Sequence, residues 1–319
     1  MLNTRFTKLV GCSVPLQQAG MGGVAQVELA AAVARAGGLG MIGGVRLPAP
    51  FLADVLEEAG ELTPGAIGVN FLMPFLDRAA VEIAAKRARV IEFFYADPDP
   101  ELIKLVHVAG ALACWQVGSV EEAQQAARAG CDFIVAQGVE AGGHVRGTLS
   151  LFPLLDQVLD AVAIPVVAAG GIGTARQVAA ALAAGADAVR VGTRFVAARE
   201  SQAHAFYKQA LIAARGEDTI YTEAYSANWP NAPHRVLRSC IEAAGKLPAG
   251  PVGQTELAGN KLPIARFATP CPTVATTGKL EAMALYAGAG VAAVTSIQSA
   301  AEIVRELVEG AEPLLHRFS

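Results

Sequence analysis

The chain has 319 residues, of which 53% are hydrophobic and 17% charged, with a formal net charge of −4. That composition can fill one large core and lacks the basic block of a nucleic-acid-binding surface, and no apolar run nears the about 18 residues of a membrane span. The start, Met1 to Phe6, lacks a signal peptide's apolar segment, and five cysteines without C-x-x-C spacing read as buried thiols rather than disulfides or a zinc site, so a cytoplasmic protein is expected.

Apolar, β-prone runs alternate with alanine-rich amphipathic stretches. In chain order, strands are predicted at 15–19, 38–43, 67–71, 90–95, 112–117, 133–137, 165–169 and 188–195, at the spacing of βα units. Helices are predicted at 27–36 (VELAAAVARA), 120–129 (VEEAQQAARA) and 174–184 (TARQVAAALAA). Gly37, Gly130 and Gly185 follow them where a left-handed C-cap favours glycine, and Ser119 and Thr174 stand as N-caps. Eight apolar strands joined by helices point to an α/β fold, a closed (β/α)8 TIM barrel. A doubly wound open sheet is the competing arrangement. It is weakened because Gly20-Met21-Gly22-Gly23 after the first strand lacks the G-x-G-x-x-G spacing of a dinucleotide site.

After residue 214 the rhythm changes. The stretch 219–275 is richer in proline, asparagine and aromatic residues, with Trp229, Pro230, Asn231, Pro233 and Pro248. It is expected to form a small cap domain, mainly helical and irregular, so that residues 1–214 and 280–319 make the barrel and 215–279 the cap. Helices at 280–289 and 300–316 would return the chain to the barrel.

Barrel ligands bind at the carboxyl ends of the strands, and the loops after the last two strands commonly hold a phosphate. Gly170, Gly171, Gly192 and Thr193 fall in those loops, where free amides and the helix start at Thr174 favour an anion. Tight turns alone would also account for the glycines. His144 follows Gly142-Gly143 beyond the sixth strand. A loop histidine bonded to a carbonyl is the plain explanation, but an imidazole at the catalytic face can take a proton or donate to an anion at neutral pH. His107 and His204 read as helix residues, His316 as terminal, and His234 as a cap residue able to face a substrate. Glu140 reads as structural. Asn70, Gln116 and Gln137 end the third, fifth and sixth strands as a ring of amides. They either satisfy the core or meet a heterocycle carrying donors and acceptors, and three at one barrel end favour a cofactor such as an isoalloxazine.

Taken together, Gln18-Ala19-Gly20-Met21, Ala36-Gly37-Gly38-Leu39-Gly40, Gly68-Val69-Asn70, Glu140-Ala141-Gly142-Gly143-His144, Ala169-Gly170-Gly171-Ile172 and Val191-Gly192-Thr193-Arg194-Phe195 resemble the nitronate monooxygenase family, formerly called 2-nitropropane dioxygenases. The resemblance runs over residues 8–210 and returns at Tyr286-Ala287-Gly288-Ala289-Gly290. It implies an FMN-containing barrel that oxidises alkyl nitronates with O2 to carbonyl compounds and nitrite, without a nicotinamide. Carried over residue by residue, Ala19, Gly20 and Met21 would meet the flavin ring, with Asn70, Gln116 and Gln137 at its polar edge. Gly170, Gly171, Gly192 and Thr193 would hold the phosphate, and Gly288 would close the site. The Gly142-Gly143 loop would bring His144 over the ring as base or anion-orienting group, while Met21 and Phe71 shape an apolar pocket.

Two features depart from the family. Some relatives carry lysine at the position of Gln116, and the stretch 219–275 matches no named pattern, which leaves the substrate open. Flavin-dependent enoyl-acyl-carrier-protein reductases and NADH:quinone reductases share the Gly-Gly-His loop. An NAD(P)H-dependent FMN reductase is therefore the alternative activity, and a non-catalytic phosphate-binding barrel a third. The expected partners are a small-molecule nitronate and O2, without nucleic acid, membrane or metal, and the oligomeric state, a homodimer included, is open.

Overall fold

The computed structural model describes residues 2–257 and 259–317. Eight strands, Leu16–Gln18, Gly40–Gly43, Ile67–Leu72, Val90–Phe94, Leu112–Val117, Phe133–Gln137, Val166–Ala169 and Ala188–Val191, form one parallel sheet. Arg190 on the eighth strand pairs with Gln17 on the first, and a bridge from Gln17 to Leu39 joins the first to the second. The sheet therefore closes on itself, and the chain is a TIM barrel with its helices outside.

The two-residue period of a strand decides what faces the lumen. In Phe133–Gln137, Phe133 and Val135 belong to the cluster inside the barrel, while Ile134 and Ala136 pack outward against helices. The same alternation turns Val90 and Cys114 inward and Ile91, Phe93 and Trp115 outward. Continued toward the carboxyl ends, it places Asn70, Glu92, Gln116, Gln137 and Arg190 in the upper lumen. Phe6, from the helix Arg5–Val10, plugs the lower end edge-on to Phe133, with ring centroids 5.4 Å apart.

Helix boundaries follow local chemistry. Gly37, Gly130 and Gly185 take φ values of 94°, 99° and 106°, the left-handed region open to glycine. Ser119 and Thr174 accept amides from the first turns of Val120–Ala129 and Ala175–Ala183. Ala300–Leu315 returns the chain to the barrel and packs along Ala175–Ala183. No helix among the described residues is long and apolar enough to cross a membrane.

Three stretches differ from the sequence expectation. The eighth strand ends at Val191 rather than at 195, and Thr193–Val196 is a helical turn whose Phe195 and Val196 amides donate to the Gly192 carbonyl at 2.8 and 3.1 Å. Residues 280–289 form no continuous helix. Short 3-10 turns at Leu280–Ala282 and Ala289–Ala293 flank a stretch in which Leu285 and Tyr286 pair with Leu237 and Val236. Sheet pairing outweighs helix propensity there. Residues 215–279 contain the helix Arg238–Gly245 and irregular chain, but also strands. Thr219–Thr222 and His234–Leu237 pair with each other, and the second pairs with Gly143–His144 from the loop after the sixth barrel strand. Pro251–Leu257, Asn260–Ala265 and Thr277–Gly278 form another antiparallel sheet. Asn260–Ala265 offers only two alternating apolar residues, Leu262 and Ile264, with Pro263 between them, too short a pattern from which to read a strand.

Gly40 shows how closely helices seat on the barrel: a Cβ there would fall 2.0 Å from the Ala30 carbonyl oxygen on the helix Val27–Arg35. Gly40→Ala must push that helix outward, and a loss of about 1–3 kcal/mol is expected. Urea denaturation should report it as a lower midpoint at an unchanged m-value.

Candidate active site

Of the residues singled out from the sequence, His144, Ala19, Gly20, Met21, the amides Asn70, Gln116 and Gln137, and the glycine loops with Thr193 and Gly288 line one cavity of about 770 Å3 at the carboxyl end of the barrel, whereas Phe71 and His234 do not. Its floor is the upper lumen. There the fully buried Glu92 accepts from Asn70 Nδ2 (2.6 Å) and Gln17 Nε2 (3.1 Å) and ion-pairs with Arg190. Arg190 in turn donates to Gln116 Oε1 (2.5 Å) and Gln17 Oε1 (3.3 Å). Burial lowers the Arg190 pKa to about 9, so the guanidinium stays cationic at neutral pH beside its carboxylate. Gln137 donates through Nε2 to the His144 carbonyl (3.1 Å), and its Oε1 is buried without a partner.

Two glycine loops form the side of the cavity nearest the last strands. Gly170 and Gly171 sit at φ 114° and 71° at the end of the seventh strand, Val166–Ala169, and the next helix starts at the Thr174 capping box. Among the described residues, the amides of Gly171 and Thr193 find no acceptor. The loops are braced from behind. Arg194 is buried and donates to the Gly173 carbonyl (2.7 Å), to Gln298 Oε1 (2.8 Å) and to both carboxylate oxygens of Glu306 on the C-terminal helix. Thr193 Oγ1 accepts the Gly288 amide (3.1 Å), which leaves its own O–H free to donate. Gly288 therefore shapes the wall through its small size, since a Cβ there would lie 2.9 Å from the Glu140 carbonyl oxygen, and its N–H is already spent.

His144 stands above this floor. Its loop passes within contact of the C-terminal segment, where a Cβ on Gly142 would lie 2.5 Å from the Gly288 nitrogen. Pairing with His234 and Arg235 then fixes the backbone. The imidazole stacks on Trp229 (centroids 4.1 Å apart, 22° between planes), meets Tyr95 edge-on at 6.0 Å, and has Tyr286 at 5.6 Å and His234 at 5.2 Å. Its Nε2 is shut off from solvent and has no protein partner. Burial, and secondarily the neighbouring His234, lower its pKa from 6.5 to about 3, so it is a neutral imidazole across the physiological range. Tyr95 holds its place with a left-handed φ of 75°, an uncommon conformation for an aromatic residue.

His234 is not the substrate-facing residue that its position in the insert formed by residues 215–279 suggests. Its Nδ1 donates to the Ala232 carbonyl (2.8 Å) and its Nε2 accepts the Tyr225 amide (3.2 Å), so both nitrogens are spent and the tautomer is set. Burial also lowers its pKa. Phe71, expected in the pocket, faces the helices because it is one residue out of phase with Asn70, whereas Met21 does line the cavity. Glu140 accepts the Leu151 amide at the start of Leu151–Ala161, the structural role expected of it. His107 pairs with Asp132 and His204 caps a helix through Nδ1. Glu92, Arg190, Gln17, Trp229 and Tyr95 also belong to the site, though no motif marks them. A signal existed for the first two, since each is a lone charge at an inward position of an otherwise apolar strand.

Comparison with known proteins fits this geometry. A family model described as nitronate monooxygenase matches residues 3–85 and 75–310. A probable nitronate monooxygenase of Staphylococcus aureus is 30% identical over 306 residues, covering 80% of this chain and 85% of that protein. A Rhodococcus jostii protein named (3aS,4S,5R,7aS)-5-hydroxy-7a-methyl-1-oxo-octahydro-1H-indene-4-carboxyl-CoA dehydrogenase is 36% identical over 239 residues, covering 75% of this chain and 66% of the dehydrogenase. Among solved structures, FabK from Thermotoga maritima superposes with a TM-score of 0.81 at 27% identity, covering 99% of this chain and 98% of FabK. A nitroalkane oxidase from Streptomyces ansochromogenes superposes with a TM-score of 0.80 at 29% identity, covering 98% of this chain and 99% of the oxidase.

The depressed pKa of His144 has a consequence for stability. Between about 3 and 6.5 the unfolded chain takes up a proton at this position that the folded chain refuses. Stability from this residue is complete above 6.5 and is lost as pH falls below it, by at most about 1.4 kcal/mol per pH unit. His144→Gln should flatten the fall of the urea midpoint between pH 6.5 and pH 4. An identical pH profile in both proteins would mean that the imidazole is not desolvated.

Proposed function

Because the chain belongs to the nitronate monooxygenase family, and is thereby an oxidoreductase, we propose that it binds FMN on the cavity floor and oxidises nitronates with O2 to carbonyl compounds and nitrite. One observation carries the reading: a neutral imidazole with an unpartnered Nε2, stacked on Trp229, lines the same cavity as the strand-end amides Asn70, Gln116 and Gln137. The residues present fit the cofactor. The unsatisfied Gln137 Oε1 and the free sides of Asn70 and Gln116 suit the polar edge of a heterocycle. The Gly170–Gly171 and Gly192–Thr193 loops suit one phosphate, the single phosphate that FMN carries.

Bound FMN would supply the electron acceptor and the route from donor to oxygen. The protein's own task is to orient the donor and exclude water. Met21, Phe75 and Trp229 make an apolar surround, and the His144 imidazole in the cavity wall takes the proton from the carbon of a neutral nitroalkane. A nitronate already lacks that proton, and a neutral imidazole offers it a hydrogen bond in place of a counter-charge.

That last point favours a second reading, in which the substrate is a neutral carbonyl compound handled by a dehydrogenase or an NAD(P)H-dependent reductase. The naming of the 36%-identical relative as a carboxyl-CoA dehydrogenase supports it. Anaerobic mixing separates the two. Under the first reading a nitronate bleaches the flavin and NADH and NADPH do not; the reverse outcome would move the assignment to the second.

Flavin released on heating is expected to be FMN, and recovery of FAD by chromatography would contradict the single-phosphate cradle. Gly171→Val and Thr193→Val should each weaken FMN binding by at least tenfold while the barrel stays folded. Unchanged affinity in both would displace the phosphate from these loops.

His144→Ala should keep flavin and fold but slow reduction by a neutral nitroalkane by the about 10²–10⁴-fold that a positioned base contributes. The loss with a pre-formed nitronate should be smaller. In the wild type the base is already unprotonated well below neutrality. The rate constant for the nitroalkane should therefore show no inflection at the ordinary histidine pKa and fall only as pH approaches about 3. An inflection near 6.5 that disappears in His144→Ala would show a solvated, titrating imidazole instead.

A further inference from the structure

We propose that the Glu92–Arg190 pair fixes which atoms the floor amides show to a ligand, and so makes the floor select a ring edge in which an N–H stands beside a carbonyl. The inference rests on the FMN reading above, because the pyrimidine ring of a flavin carries such an edge.

A side-chain amide can turn either its oxygen or its nitrogen toward a ligand, and its other partner decides which. Glu92 is acceptor only. It takes Asn70 Nδ2 at 2.6 Å, so Asn70 must keep Oδ1 for the cavity. Arg190 is donor only. It gives a hydrogen bond to Gln116 Oε1 at 2.5 Å, so Gln116 must keep Nε2 for the cavity. Gln17 closes the network by donating to Glu92 and accepting from Arg190. Asn70, Gln116 and Arg190 line the cavity, whereas Glu92 and Gln17 lie behind it. Of the ion pair, only the cationic end reaches the site. The floor therefore shows an acceptor from Asn70 and donors from Gln116 and Arg190.

The packing does not require this pair. One layer down, Val90, Cys114, Val135 and Val167 fill the lumen with apolar or weakly polar groups. A buried ion pair gives little net stability over an apolar replacement, whereas a buried acceptor facing another acceptor costs more than the lost bond itself. The arrangement thus acts on choice of ligand. Asn70 Oδ1 would receive the ring N–H, and Gln116 Nε2 and the guanidinium would meet the adjoining carbonyl. Glu92 is a positioning residue that works through Asn70 and Arg190.

The test is the ratio of two dissociation constants, those for FMN and for N3-methyl-FMN. Both are measured by flavin fluorescence on the 319-residue chain stripped of its flavin. The methyl group removes the N–H and adds bulk, so wild type should prefer FMN by at least tenfold, but that ratio alone does not isolate the hydrogen bond. Glu92→Gln lets Asn70 turn either way, and Asn70→Leu removes the acceptor at similar volume. In each, the ratio should shrink to within about threefold, mainly through weaker FMN binding. Should one variant fail to fold by circular dichroism, the other decides. Exclusion by bulk would keep the wild-type ratio in the variants, and that result, with FMN bound, overturns this proposal while leaving the cofactor in place. Wild type that takes up neither flavin overturns both readings, the cofactor first.

Discussion

The lumen of a closed eight-stranded parallel barrel is just wide enough for side chains to fill, so groups pointing inward from different strands must satisfy one another. Here that requirement is met in two ways at two depths. Low in the barrel, Phe6, Val90, Phe133, Val135 and Val167 fill the space with apolar contact. Above them the inward positions become Asn70, Glu92, Gln116, Gln137 and Arg190, which can coexist only as a hydrogen-bonded set with its charges paired. The change of layer turns one end of the barrel into a plug and the other into a floor. The neighbouring loops inherit constraints from it. A Cβ on Gly20 would sit 2.5 Å from Asn70 Cβ, so the first loop can pass over the floor only as glycine.

The insert does for His144 what the lumen does for the amides. A histidine on an open catalytic-face loop would titrate near its ordinary value. Here the strand His234–Leu237 pairs with Gly143–His144, and Trp229, Tyr95 and Tyr286 enclose the ring. The second histidine has both nitrogens committed to backbone and cannot accept a proton without losing the Tyr225 amide bond. Two desolvated neutral imidazoles thus lie side by side, and only one has a free nitrogen. The chemistry open to that nitrogen is proton acceptance or neutral hydrogen bonding, and attraction of an anion by a cationic ring is closed to it.

The barrel was legible because each strand is a short apolar run punctuated by glycine, and because capping residues sit where helices begin and end. The site was legible through glycine loops and amides at strand ends, features carried by single short segments. What the sequence concealed depends on contacts between distant segments. Trp229 reaches His144 only through the fold of the insert, and the pairing of Tyr286 with Val236 replaces a helix that local propensity favours. Glu92 and Arg190 are separated by nearly 100 residues, and nothing in either strand alone says that the two charges meet. Phase would have helped: counting by twos along each strand places both in the lumen and Phe71 outside it.

The floor and the far wall of the cavity are built by different parts of the chain, and this bears on why relatives with similar barrels are named for different reactions. The floor, the glycine loops and the Arg194 brace arise from strand ends and from a helix that packs on the barrel. The outer wall includes Leu262 and Ile264 from the exposed hairpin strands Pro251–Leu257 and Asn260–Ala265, tied inward by contacts such as Thr276 Oγ1 to Thr255 Oγ1 at 3.1 Å. A substitution on the outer face of that hairpin touches neither the lumen network nor the glycine loops at the ends of the last two barrel strands. The wall is therefore free to change with the substrate, whereas each residue of the floor is held by at least one partner on another strand. In such a fold the floor is the constrained element and the outer wall the adaptable one, because only the floor is buried in the part that also holds the barrel together.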